Sequence, residues 1–133
     1  MITRDEMLED ILKACPSFVP TWRAFCQEWE DEGELPIYLA LADLARHLIR
    51  MLEDGEDSGL KAVFEIVEQW HLNGDPYVSE AATIGLLEDL QNEGLHKTTT
   101  PDEFVRFLLP ESKFWWAKVT AFWKHRHPIV DDR

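Results

Sequence analysis

The chain has 133 residues, 45% of them apolar and six of them tryptophan. That is enough for a single helical domain over 1–133 with a core that needs no metals or disulfides, and it excludes a disordered tail. The formal charge is −13 and unevenly spread: residues 1–94 hold 21 acidic and 6 basic residues, net −15, and residues 95–133 hold 5 and 7, net +2. Such a field repels nucleic acid and anionic membrane and attracts basic proteins or other cations.

Thr3 to Asp10 is charged where the apolar core of a signal peptide would begin. The longest apolar run, Ile37 to Ala42, is too short to span a bilayer. Cys15 and Cys26 are isolated thiols without metal-type spacing, which fits a reducing compartment, so a cytoplasmic location is expected. Were the first two helices to form a hairpin, these thiols would lie close together.

In chain order, the first helix is predicted over Thr3 to Ala14. Thr3 and Glu6 form a capping box, Met7, Leu8, Ile11 and Leu12 face inward, and Pro16 ends it. A second starts near Pro20 or Thr21, with Trp22, Phe25, Cys26 and Trp29 on the helical template and Gly33 closing it. The third runs from Pro36 to about Asp54 on a stripe of Leu41, Leu44, Leu48 and Leu52, with Gly55 as its cap. The fourth covers roughly Ser58 to Leu72, with Leu60, Val63, Phe64, Val67 and Trp70 inward.

The stretch 75–92 is the centre of the expected architecture. Asp75 is a good N-cap and Pro76 suits the first helical position. The helix that follows is apolar nearly all round, from Tyr77, Val78, Ala81 and Ala82 to Leu86, Leu87 and Leu90, as a helix packed on several sides must be. Ala81, Ala82 and Gly85 admit close neighbours. Thr100 to Glu103 is a second capping box opening a sixth helix with Phe104, Val105, Phe107 and Leu108. The seventh runs from about Ser112 to His125, with Trp115, Trp116, Val119, Phe122 and Trp123 on one face read as core. Residues 129–133 are expected to fray. No segment alternates with period two, so the prediction is an all-α fold: a compact bundle or short helical-hairpin stack of about seven helices with helix 75–92 central.

Two acidic clusters stand out: Glu28, Glu30, Asp31, Glu32 and Glu34, then Glu53, Asp54, Glu56 and Asp57. Both fall at the C-terminal end of a predicted helix, where the macrodipole disfavours negative charge by about 0.3–1 kcal/mol per group. A sequence that keeps such frustration points to a cationic partner, against the simpler reading of a solvated acidic loop. A partly exposed aromatic anchor, Trp29 or Tyr38, is expected beside the first cluster. Neither cluster has the ligand alternation of a calcium loop.

Nothing marks a catalytic, metal or cofactor site. The five histidines lack metal spacing, and no phosphate loop, GxSxG or Cys-His-Asp order is present. His71, on the apolar face of the fourth helix, reads as a satisfied core histidine. Glu88 falls on the same side of the central helix as Tyr77, Ala81 and Ile84, so it reads as a buried carboxylate. It would be held by another helix's N-terminal N–H groups, a Tyr hydroxyl or a Trp N–H, as a structural clamp rather than a catalytic acid.

Two stretches together, 76–92 (PYVSEAATIGLLEDLQN) and 108–123 (LLPESKFWWAKVTAFW), resemble a family of small uncharacterised all-helical bacterial proteins. The resemblance rests on Glu88, Leu90, Gln91 and Asn92 ending the central helix. It rests also on Pro110, Glu111 and Ser112 followed by Trp115, Trp116 and Trp123. Members are often taken for immunity proteins of polymorphic toxin systems. The resemblance therefore implies a non-enzymatic immunity or inhibitor protein that neutralises a basic toxin through its acidic surface. A helical adaptor or regulatory protein-binding module is the alternative.

Overall fold

A computed structural model describes residues 1–133 as an all-helical assembly without a strand. Six α-helices are joined by short turns: α1 Met7–Ala14, α2 Val19–Glu28, α3 Ile37–Glu53, α4 Asp57–Asn73, α5 over residues 76–90 and α6 Pro110–His125. The predicted sixth helix forms as 3₁₀ turns over Pro101–Phe107, opened by the Glu103 carboxylate accepting the Thr100 N–H at 2.6 Å. That brings the count of helices beyond a single turn to the seven expected.

The ends follow the capping chemistry. The Asp75 side chain accepts the Val78 N–H at 2.9 Å, and Pro76 opens α5. Gly55 takes a positive φ of 71° just past the end of α3, a conformation that suits glycine. Thr3 and Glu6 make half of the expected capping box: the Glu6 carboxylate accepts the Thr3 N–H at 3.0 Å and its hydroxyl at 2.8 Å, but the Glu6 N–H goes to the Thr3 carbonyl, and regular α-helix begins only at Met7. Pro110 is the first residue of α6, two residues ahead of the expected start at Ser112, and its absent N–H is one the helix would leave free anyway.

Helix α5 is the axis, packing against α3, α4 and α6, while α1 lies on α4. The core is one cluster of 30 buried residues, with Trp70, Phe64, Phe104 and Phe18 the largest fully enclosed side chains. At Gly85 the two helices α3 and α5 pack closely: a β-carbon there would stand 2.8 Å from the Leu41 side chain. Between Ala81 and Leu87 the helix widens into π-turns, a form common as a local bulge near functional positions. The first residues are pinned to the α4–α5 junction. The Ile2 N–H donates to the Asn73 carbonyl at 2.7 Å, and the Asp75 N–H donates to the Ile2 carbonyl at 2.9 Å.

No helix is long and apolar enough to cross a membrane. The two cysteines are free and not paired: Cys15 is buried with its sulfur 3.7 Å from that of Met51, and Cys26 is half-buried on α2.

Candidate functional site

The first acidic cluster lies where the sequence put it. Glu28 closes α2, and Glu30, Asp31, Glu32 and Glu34 are exposed in the turns that follow. Of these only Glu34 has a cation, Arg4, at 3.5 Å. Arg4 also donates to the Leu35 carbonyl and lies over the Tyr77 ring at 5.1 Å, so it ties the acidic loop to α5. The end of this loop walls a groove of about 410 Å³ against α1 and α2. Its floor is Leu8, Leu12, Trp22 and Leu35, and three carboxylates, Asp5, Glu9 and Glu34, line its edge with one cation, Arg4. An apolar floor with an acidic edge is complementary to a basic amphipathic segment.

The aromatic that lines this groove is Trp22. Trp29 and Tyr38 are both partly exposed, as expected of an anchor, but neither lines the groove: Trp29 is half-buried beside the acidic loop, packed against the core and tilted on Phe25 at 6.2 Å. Tyr38 is 37% exposed on the first turn of α3, beside Tyr77 at 6.0 Å, outside the groove. Asp5 and Glu9 escaped the sequence reading because only the packing of α1 brings them to the acidic loop.

The second cluster does not extend the first. Helix α3, with 17 residues, separates them by about 25 Å. Nor is it uniformly frustrated. Glu53 and Asp54 end α3, but Glu56 and Asp57 open α4, where the helix dipole favours a carboxylate. Asp57 is further paired with Arg106 at 3.2 Å.

A second region lies where α4 meets the start of α6. Glu68 is only 6% exposed. Its carboxylate accepts the backbone N–H of Glu111 at 2.9 Å and the N–H and hydroxyl of Ser112, both at 2.8 Å. A helix N-terminus has free N–H groups and a positive end of its dipole, and Glu68 satisfies both. This is the clamp expected of Glu88, made by another residue. Glu88 is half-buried with no hydrogen-bond partner, and burial, then neighbouring Asp89, raises its pKa. The face itself is the reason: Ile84 on the same side is 37% exposed and Tyr77 is half-buried, so although Ala81 is enclosed this side of α5 is not covered by a neighbour that could bring donors.

His71 is not the satisfied core histidine that was expected. Both ring nitrogens are shut off from solvent and have no hydrogen-bond partner in the protein. Burial pushes its pKa down to about 4, against the opposing pull of Glu68 and Glu111. The ring lines a cavity of about 590 Å³ between α4, the π-turns and α6. Thr83 and Glu111 lie on its walls, and Ile84, Trp115 and Ile129 supply apolar surface.

The segment expected to fray is instead folded back over this cavity. Arg133 donates twice to the Glu111 carboxylate, at 2.9 and 2.6 Å, and again to Asp131, while its guanidinium sits 3.9 Å from the centre of the Phe114 ring. Lys118 pairs with Asp132 at 2.7 Å. The hydrogen bonds from Arg133 hold the Glu111 and Asp131 carboxyls below their ordinary range. The regular spacing of α6 gave no sign of this latch, since its charges lie in a stretch without periodicity. The tryptophans of α6 divide as well: Trp116 is buried, Trp115 is half-buried and Trp123 is 47% exposed, so the face is not wholly core.

No group of three or more His, Cys, Asp or Glu side chains is arranged to hold a metal ion. A family model described as a domain of unknown function, DUF7674, matches residues 8–124. No curated protein and no solved structure matches the chain.

Proposed function

Because the chain belongs to the DUF7674 family, whose model carries no activity with it, we propose a function from the surface chemistry: this is a binding protein that captures a basic protein partner at its acidic N-terminal face. The observation that carries the reading is the groove floored by Leu8, Leu12, Trp22 and Leu35, with exposed carboxylates along its edge and in the adjoining loop. Arg4 is the one cation of the chain within ion-pair distance of that loop. Apolar floors supply affinity, and unpaired charge supplies fast, selective encounter. The barnase–barstar pair is the general precedent for an acidic inhibitor steered onto a cationic enzyme. An inhibitor or immunity protein that covers the active site of a basic toxin fits this chemistry, with the 28–34 loop and Trp22 at its centre and the 53–57 cluster outside the contact.

The test couples identification of the partner with charge reversal. Proteins captured on the chain are identified by mass spectrometry, and association rates are measured with the purified partner. Raising salt from about 0.05 to 0.5 M shortens the Debye length from roughly 14 to 4 Å and is expected to slow association at least tenfold. The variant with Glu30, Asp31, Glu32 and Glu34 all changed to Lys is expected to keep its thermal midpoint and lose binding, and with it any protection against a toxic partner. A variant that folds and binds like the wild type refutes the assignment of this face.

A further inference from the structure

The cavity beside His71 has no part in the acidic face, and three of its features point to a ligand. The first is His71 itself. A neutral imidazole has one donor and one acceptor, and buried polar groups are nearly always paired, so two enclosed, unpartnered nitrogens in a residue that borders a cavity call for a partner from outside the protein, which the ring turns to meet. The second is the backbone. Thr83 sits inside the π-turns and lines the same space, and irregular turns of this kind concentrate at functional positions. The third is Arg133. A bidentate carboxylate, Glu111, with an aromatic face, Phe114, at 3.9 Å, is how proteins hold a guanidinium, and the chain has placed one of its own there.

We propose that this cavity binds a small organic cation, an amidinium, guanidinium or ammonium group on an apolar body, and that Arg133 holds the place of the ligand's head until it arrives. Glu111 takes the cationic head, His71 hydrogen-bonds a polar group on the body, and Ile84, Trp115 and Ile129 cover the apolar part. Glu80 and Asp131, on the same walls, make the space unfavourable for anions. The Arg133 side chain then has to turn away from Glu111 for the head to reach it, with Ile129 and Asp131 left in place on the walls, so the ion pair competes directly with the ligand. An exposed pair of this kind is worth little, which keeps the exchange within reach of a small molecule.

The probe is benzamidinium, with benzoate as the control of equal shape and opposite charge, titrated by calorimetry into the full chain. Arg133→Ala is expected to bind benzamidinium about two- to fivefold tighter than the wild type, the factor an exposed ion pair can withhold. Glu111→Gln in that background is expected to lose at least tenfold, benzoate is expected to bind neither variant, and the ¹⁵N resonances of the His71 ring are expected to shift on saturation. Thermal midpoints establish that each variant is folded, and Arg133→Gln stands in should the alanine variant melt early. Equal affinity of wild type and Arg133→Ala, retention of binding in Glu111→Gln, or benzoate binding as well as benzamidinium overturns the proposal.

Discussion

Replacing Glu68 with Ala tests the clamp between α4 and α6 most directly. Three donors lose their acceptor: the N–H of Glu111 and the N–H and hydroxyl of Ser112. Ser112 is fully buried, so its two donors have no water to turn to, whereas Glu111 borders the cavity and can be rehydrated. A stranded donor costs roughly 1–3 kcal/mol, and a helix N-terminus without its anion a further 0.3–1 kcal/mol or so. The loss is therefore roughly 2–7 kcal/mol, centred near 4. For a chain of this length the entropy of unfolding is about 0.28 kcal/mol/K, so the melting temperature should fall by about 14 °C. The control is Glu88→Ala, which removes a half-buried carboxylate without hydrogen bonds and should cost about 1 kcal/mol or less. Urea unfolding followed by circular dichroism gives both values. A Glu68→Ala loss no larger than that of Glu88→Ala would refute the clamp.

Gly85→Leu should overpack the close packing of α3 and α5 against Leu41 and Tyr38, costing about 1–3 kcal/mol or more in urea titrations. An unchanged midpoint would mean that the two helices do not meet there. His71 supplies a pH dependence. Its folded pKa, about 4, lies below the ordinary 6.5, so the unfolded chain binds the extra proton and stability falls as pH drops between those values. Between pH 7 and 5 the loss is roughly 2 kcal/mol. His71→Leu should remove that part of the slope, and equal slopes in the two proteins would show that the imidazole is not buried neutral.

The helices and the centrality of α5 were legible because burial on several sides leaves a pattern that needs no tertiary information: Ala81, Ala82, Leu86, Leu87 and Leu90 are apolar all round and fully enclosed. The kind of clamp was legible for the same reason, since an acid on an apolar stripe must find donors. Its identity was not. Glu68 lies deep on its own helix, whereas the side of α5 that carries Glu88 also carries half-buried Tyr77 and Ile84 at 37% exposure, and a helix apolar all round does not announce which side lacks a neighbour. The acidic loop could be read from composition, but its groove could not, because Asp5, Glu9 and Trp22 reach it from two other helices. His71 was misread because spacing shows which face a side chain is on, not whether a donor waits there.

The two hydrogen bonds that tie Ile2 to residues 73 and 75 close a loop of some seventy residues, at an entropic cost of roughly 3–4 kcal/mol. No fragment that lacks α4 can form them, and local fraying of α1 alone breaks them. The Ile2 amide thus reports on one contact: its deuterium uptake follows the local opening that lifts the first residues from the α4–α5 junction, and it can run ahead of unfolding of the core.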